Sequence, residues 1–385
     1  MSKIFLDVTR LISRHYDERL PTGVDRVGLA YIQHYGERAR AVLSVRGYAR
    51  ILTESDSRRV FDLLLRPANR RSAIREIWLR AGLSFQAHTG SEPAFLLHTS
   101  HNGMEFRRYY DNMARRNARC IFMVHDLIPL THAEYCRPGV DNAHRRRIHT
   151  ALRLASGLIV NSEATLTALA VEAEHTGLRM PPNTIARLAP GVINCSLPSS
   201  CPIAAPYFVM VGTIEPRKNH WFMLHVWRRL VERHGSAAPK LVIIGQRGWE
   251  CENVVDMLER CSSLRDFVIE ETRCSDAQLQ AWLHHARALL FPSFTEGYGM
   301  PLIEALAAGI PVLASDLPVF REIAADIPDY LDPLDGPGWC AHLTAYIQPD
   351  SPARAAQLAR ISDFKQPTWA EHFQRVDGFL ETLGQ

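Results

Sequence analysis

The sequence lacks any apolar run approaching the ~18–20 residues that a bilayer-spanning helix needs. Its longest apolar stretches, such as 208–211 and 241–244, have the length of strands. The opening residues, Met1 to Val8, show no basic leader, long apolar core or small-residue cleavage pattern, so the expectation is a chain that stays in the cytoplasm. The eight cysteines, at 120, 136, 195, 201, 251, 261, 274 and 340, contain no CxxC pair. That counts against zinc ribbons and thioredoxin-like redox sites, and the expectation is free thiols. There is no GxGxxG after the first strand pattern, no GxxxxGK[ST], HExxH or GxSxG, and no DxD. Dinucleotide oxidoreductases, P-loop kinases, zinc proteases, α/β-hydrolases and carboxylate-pair metal enzymes are disfavoured together. Lysine is scarce as well: four (Lys3, Lys218, Lys240, Lys365) among 44 basic residues.

What is present is a chain of 385 residues with ordinary apolar content, long enough for two domains. Residues 1–200 carry 28 Lys+Arg against 18 Asp+Glu, a balance of +10; residues 201–385 carry 16 against 23, a balance of −7. Such asymmetry suggests that the first half faces something anionic, although the arginine excess reflects genome composition as much as function. In the first half, strand-like runs at 4–8, 41–45, 94–98, 121–124 and 157–161 alternate with helical patterns at about 22–35, 103–118, 141–155 and 163–173. In the second half the alternation is cleaner. Strands at 207–212, 240–245, 267–270, 288–291 and 311–314 alternate with helices at about 219–234, 250–260, 276–286 and 301–308. Short apolar strands of this kind belong to parallel sheets covered on both faces. The stretch 190–206 holds four prolines and breaks both periods, so the boundary is placed there: domains 1–197 and 198–385. A terminal amphipathic helix at about 369–383 is expected to cross back to the first domain. Ligands of such sheets bind at the carboxyl ends of the strands, so the loops after strands carry the chemistry.

Three such loops stand out. In Gly212-Thr-Ile-Glu-Pro-Arg217-Lys218-Asn219, an Arg-Lys pair between a strand and a helix start could clamp a diphosphate, or be a solvated basic turn. In Gly245-Gln-Arg247-Gly-Trp249, the glycines permit close backbone approach and Arg247 adds a cation. The third runs from Phe291 through Glu296, Gly297, Tyr298, Gly299 and Met300 to Pro301, Leu302 and Glu304. Pro301 is read as the first residue of a helix, and the turn before it exposes N–H groups suited to an anion. Glu296 and Glu304 could accept hydrogen bonds from sugar hydroxyls, although a lone glutamate at a helix start also suits the macrodipole.

The spacing Glu296 to Glu304 resembles the EX7E motif of retaining GT-B glycosyltransferases. With VGTIEPRKN, IGQRGW and AAGIPVLASDLP, the sequence resembles glycosyltransferase family 4, densely over about 205–325 and more thinly at TGVDR, MVHDLIPL (123–130) and IVNSEAT (159–165). The resemblance implies an α/β GT-B fold, two doubly wound Rossmann-like domains facing a cleft, with the acceptor bound by the first and a nucleotide-sugar donor by the second. It implies that Arg217 and Lys218, with Gly212 and Arg247 nearby, hold the donor diphosphate. By the same resemblance Glu304 binds the ribose, Glu296 binds the transferred sugar, and the Gly297, Tyr298, Gly299 and Leu302 backbone meets sugar and phosphate oxygens. His125 matches a histidine lying over the sugar, and Gly23 a glycine-loop position, in a loop longer and less glycine-rich than usual. Without a DxD motif, no divalent metal or other cofactor is expected; Arg217, Lys218 and helix-end N–H groups would stabilise the leaving diphosphate instead.

EPRKN and HDLIPL together resemble members that use GDP-mannose or related deoxyhexose donors in O-antigen or capsule assembly; TDP-rhamnose and UDP-sugar donors are the alternatives. A sugar-nucleotide epimerase or a non-catalytic nucleotide- or glycan-binding subunit remains from other classes. The arginines at 58, 59, 66, 70, 71, 75 and 80 interleave with apolar residues, which suggests an anionic membrane surface as partner, with a lipid-diphosphate-linked glycan as acceptor. The expected location is then the inner face of the cytoplasmic membrane. The same charge could be an arginine-rich solvated face. Nucleic acid is not expected, because there is no stacking platform or known module.

Overall fold

The structure is a computed structural model that describes residues 3–66, 75–77, 93–191 and 200–385. The chain forms two compact units. Unit 1 comprises Met1–Thr131, Gly139–Gly191 and Pro367–Gln385; unit 2 comprises His132–Pro138 and Val192–Gln366. The boundary read from the sequence, 197/198, lies outside the described residues, since 192–199 are not among them.

Among the described residues, unit 1 holds a seven-stranded sheet in the order β3-β2-β1-β4-β5-β6-β7. The strands are β1 (Lys3–Asp7), β2 (Ala39–Val45), β3 (Tyr48–Ile51), β4 (Ala94–His98), β5 (Ala118–Val124), β6 (Gly157–Val160) and β7 (Asn183–Ile185). All pair in parallel except β2 and β3, which form an antiparallel hairpin in which Val45 faces Tyr48. The hairpin was not expected. Its turn, Arg46-Gly47, has positive φ at both residues (48° and 82°), the two-residue geometry that matches strand twist, but it lacks the Asn-Gly or Asp-Gly signal. The helix expected over 103–118 is only Arg107–Ala114, because Gly103 (φ 88°) and Asn117 (φ 52°) are left-handed at either side.

The arginine-rich segment 58–80 is also corrected in part. Its first turns belong to a helix, Glu54–Leu65, capped by the Thr53 side chain, which accepts from the Asp56 N–H. Phe61 and Leu64 of this helix are buried, as is Ile77. The apolar residues meant to lie on a membrane are thus packed within the protein at these positions. Arg70, Arg71 and Arg80 lie outside the described residues. The last helix, Trp369–Gly384, belongs to unit 1. Tyr31 donates its hydroxyl to His372 Nε2 (3.0 Å), and the other ring nitrogen donates to Arg187 O (3.0 Å). Burial, set against the Arg187 and Ala186 carbonyls, lowers His372 to about 4, so the ring is neutral, as its bonds to Tyr31 and Arg187 require.

Unit 2 holds, among the described residues, a six-stranded sheet in the order β10-β9-β8-β11-β12-β13. Its strands are β8 (Tyr207–Val211), β9 (Lys240–Ile244), β10 (Val268–Glu271), β11 (Leu289–Phe291), β12 (Val312–Ser315) and β13 (Asp329–Leu331), all parallel. Counted from β8, this is the 3-2-1-4-5-6 order of a doubly wound sheet. The central strands are apolar because both faces are covered: Phe208, Val209, Leu241, Ile243, Leu290 and Leu313 are all buried. The chain reverses its winding between β8 and β11, and ligands of such sheets bind just beyond the strand ends at that switch point. No helix among the described residues is long and apolar enough to cross a membrane.

Candidate functional site

The loop leaving β8 is shaped by backbone packing. Gly212 takes φ 142° and donates to Ile244 O (2.9 Å). The next loop is zipped to it: Ile214 N–H reaches Gln246 O, and Gly248 N–H reaches Ile214 O, both at 2.9 Å. A Cβ on Gly245 would lie 1.9 Å from Gly212 O, and one on Gly248 2.7 Å from Ile214 O. These two glycines therefore serve loop-to-loop contact within the protein. Pro216–Lys218 then makes a single 3-10 turn, Asn219 takes a left-handed conformation (φ 60°), and the helix His220–His234 begins.

The loop leaving β11 meets this turn at the switch point. Phe294 N–H donates to Arg217 O (2.9 Å), and Arg217 Nη1 donates to Thr295 O (3.2 Å). The same Nη1 lies 2.7 Å from Glu296 Oε2, while Arg217 Nε lies 2.6 Å from Glu215 Oε1. The Lys218 ammonium and the Ser293 hydroxyl both donate to Glu296 Oε1. Lys218 Nζ also sits over the Phe291 ring, 4.8 Å from its centroid. Gly299 (φ 116°) closes the loop, where a Cβ would meet the Phe320 ring at 2.8 Å. The helix Met300–Ala307 follows, so Pro301 is its second residue and not its first. Leu302 is buried and its N–H donates to Gly299 O (3.0 Å); that amide is engaged within the turn and not offered to a ligand. Tyr298, two residues before this helix, is buried, and Glu304, its fifth residue, is half-buried.

Two cations and two carboxylates thus share one enclosed spot. The Glu215, Lys218 and Glu296 side chains are each about a tenth exposed or less. Burial alone would raise the Glu296 carboxyl, but Arg217, Lys218 and the Lys218 and Ser293 hydrogen bonds outweigh it and hold it down to about 2. Burial, aided by Arg217, pulls Lys218 below the ordinary lysine value against the opposing pull of Glu296. Burial, with Lys218 nearby, lowers His220 to about 3, so it is neutral, and its buried Nδ1 has no hydrogen-bond partner. A buried ionic group of this kind persists only when every charge is paired.

The structure brings Gly212, Arg217, Lys218 and Glu296 together, with Gly297, Gly299 and the Glu304 helix on the same loop. It does not add Arg247 to them as a spare cation. That guanidinium is bidentate to Glu270 (2.9 and 2.8 Å) and also donates to Glu259 (2.6 Å), at an exposed position. Sequence reasoning missed Glu215 and Ser293. Their signals were spacing: Glu215 lies two residues before Arg217, and Ser293 three before Glu296.

His125 and Gly23 belong to unit 1. His125 follows β5 and is buried; its Nε2 donates to Thr99 O (2.8 Å), its carbonyl accepts from Asn161 (2.9 Å), and its N–H donates to His101 Nε2 (3.2 Å). Burial lowers the ring below the ordinary histidine value, against the Thr99 carbonyl and Asp126. It is therefore neutral at pH 7, with Nδ1 as its acceptor. Gly23 begins the helix Gly23–Tyr35 behind a Thr22–Asp25 capping box, and Arg10 and Arg14 clamp Asp25 at 2.9 and 2.7 Å. Among the described residues, no three His, Cys, Asp or Glu side chains are grouped as metal ligands would be.

Residues 205–338 match the family model described as glycosyl transferases group 1. The serotype-specific mannosyltransferase WbdA of Escherichia coli is 31% identical over 243 residues, 59% of this chain and 30% of that protein. The O-antigen chain mannosyltransferase B of Escherichia coli is 31% identical over 163 residues, 42% of each chain. The chain thus spans less than half the length of these curated relatives. Among solved structures, Anabaena Alr3699/HepE in complex with UDP and glucose superposes with a TM-score of 0.68 at 13% identity, covering 99% of this chain and all of that one. The fold is GT-B.

Proposed function

We propose, for a chain whose residues 205–338 are a glycosyl transferases group 1 domain within a GT-B fold, that it is a retaining, metal-independent hexosyltransferase. Its donor is a nucleotide-sugar, GDP-mannose or a related GDP-deoxyhexose, and its acceptor a lipid-linked glycan or polysaccharide. The observation that carries the reading is the Arg217–Lys218–Glu296 network at the switch point of the second sheet. The mannosyltransferase relatives support the choice of sugar.

In this mechanism the donor diphosphate takes the place of Glu296 on Arg217 and Lys218. The bond between the anomeric carbon and the diphosphate oxygen breaks, and its electron pair goes to the phosphate. Both cations are already fixed, so little reorganisation is needed as that charge develops. Glu296, released, accepts from hydroxyls of the sugar and favours its oxocarbenium character. Glu304 accepts from the ribose hydroxyls. The acceptor oxygen attacks from the face the phosphate leaves, and its proton passes to a diphosphate oxygen, which retains configuration without a covalent enzyme intermediate. His125, neutral with Nδ1 as acceptor, suits a role against a sugar hydroxyl better than a role as an acid.

The acceptor side is assigned to an anionic membrane surface at the inner face of the cytoplasmic membrane. Support comes from the β2–β3 hairpin, where Val45 and Tyr48 are exposed (56% and 67%) beside the exposed Arg46, Arg50, Arg107 and Arg108. Amphipathic and basic groups side by side suit a headgroup layer. Flotation with phosphatidylglycerol vesicles tests this; no co-flotation at low salt refutes it.

Calorimetric binding of GDP, UDP, TDP and ADP with their common sugar conjugates tests the donor. Selective GDP binding is expected. Selective UDP or TDP binding would keep the enzyme class and replace the donor, and no nucleotide binding would overturn the reading. Interconversion of free sugar nucleotides without transfer would indicate an epimerase; binding with no turnover on any acceptor would indicate a non-catalytic subunit.

A further inference from the structure

Residues His132–Pro138 fold with unit 2, although the chain on both sides of them, to Thr131 and from Gly139, belongs to unit 1. This short strap turns once as a 3-10 helix, Ala133–Tyr135, and lies on two of the loops that build the site. The Tyr135 ring stacks on Phe294, with centroids 5.4 Å apart and planes within 6°. His132 also stacks against this tyrosine, 6.0 Å away. The Tyr135 carbonyl accepts from Trp249 Nε1 (3.0 Å), and the Arg137 guanidinium covers the Trp249 ring at 5.2 Å.

Phe294 holds a specific place. Its N–H donates to Arg217 O, the residue after it accepts from the Arg217 guanidinium, and the one after that is Glu296. Trp249 belongs to the loop zipped against 212–214. The strap is therefore bonded to both loops that flank the Arg217–Lys218 turn.

We infer that Tyr135 is a positioning residue for the Glu296 carboxylate, acting through Phe294, with Trp249 holding the tyrosine backbone in register. This rests on the donor reading given above. The face of the ring does the work, and no hydrogen bond of the phenol is part of the argument. Apart from its single 3-10 turn the strap has no regular secondary structure of its own. The half-buried Tyr135–Phe294 stack, the Trp249 hydrogen bond and the Arg137–Trp249 contact hold it on these loops.

Full-length Tyr135→Phe, Tyr135→Ala and Trp249→Phe variants test it by hydrogen exchange and by binding of GDP and GDP-mannose. An aromatic stack of this size shifts a local equilibrium by about three- to tenfold. In Tyr135→Ala, exchange at the Phe294 to Glu296 amides is expected to accelerate by about that factor, with other unit 2 amides unchanged. The GDP-mannose to GDP affinity ratio is expected to shift by a similar factor against the sugar. Tyr135→Phe should match the wild type in both, and Trp249→Phe should fall between. Unchanged exchange in Tyr135→Ala overturns the proposal. So does acceleration spread across unit 2, which marks a general loss of stability, and so does local acceleration with an unaltered affinity ratio. Wild-type protein that binds no nucleotide refutes the donor reading instead, and the exchange result then decides the fate of the strap.

Discussion

Lys218 and Glu296 are 78 residues apart in sequence, yet the lysine ammonium donates to Oε1 of the glutamate in a spot where both side chains are almost wholly enclosed. Each charge is tolerable there because of the other. Arg217 and Ser293 close the remaining sides of the carboxylate. The pair is thus a structural element, and under the proposed function a ligand site as well; a mutant cycle separates the two roles.

Lys218→Met should destabilise unit 2 by about 2 kcal/mol, below the ~3–5 kcal/mol typical of a broken buried pair because Arg217 and Ser293 still hold Glu296. Lys218→Met with Glu296→Gln should recover more than half of that loss. Neither variant should transfer sugar at more than about a tenth of the wild-type rate. Denaturant unfolding and a transfer assay measure the two effects; a double mutant no more stable than the single would mean the pair is not coupled.

Acid should expose the same pair. The Glu296 carboxyl, held at about 2 against an ordinary 4.5, binds its proton more readily in the unfolded chain. Its contribution to stability is therefore fully present above pH 4.5 and is lost as pH falls from there towards 2. Glu296→Gln should flatten that part of the stability–pH curve and leave the curve above pH 5 parallel to the wild type. Thermal melts between pH 2.5 and 6 show whether it does.

Transfer should survive EDTA. The diphosphate charge is assigned to Arg217 and Lys218, so chelation is expected to change the rate by less than about twofold, within the role given to fixed cations. Activity abolished by EDTA and restored by a divalent ion would return that role to a metal.

Two glycines should respond in opposite directions. Gly245→Ala drives a Cβ to within 1.9 Å of Gly212 O, a backbone atom that cannot move aside, so a loss of about 1–3 kcal/mol is expected. Gly378 lies exposed in the interior of the helix Trp369–Gly384 with open space around its Cα, so Gly378→Ala should gain about 0.5–1 kcal/mol. Thermal midpoints of the two variants on either side of the wild type are the expected result.

Strands β8, β9, β11 and β12 were legible because each is a short, largely apolar run buried on both faces, and the Arg217-Lys218 turn and the Glu296 loop were legible because each follows such a strand; β13, Asp-Tyr-Leu and only partly buried, was not read from the sequence. The β2–β3 hairpin was not, since Arg46-Gly47 adopts its left-handed turn without the usual residues. The fate of Arg247 was not legible either: what turns it aside are Glu259 and Glu270, 12 and 23 residues away, whose placement only the fold decides. The same holds for 58–65, where the apolar face that reads as free in sequence is covered by the first unit's own core. Ser293 and Glu215 show the limit for the site. Short polar residues become partners of a buried charge only when two distant loops close on each other.

The last helix has a bearing on the order of events during synthesis. Residues 367–385 complete unit 1, and they are made after all of unit 2. Until they emerge, Tyr31 and Tyr35 lack their partners His372 and Asp377, and the surface that Phe379 covers at Gly157 stands open. The first unit to be translated is therefore the last that can finish folding, and a ribosome stalled anywhere in unit 2 holds it unfinished, with an apolar face uncovered.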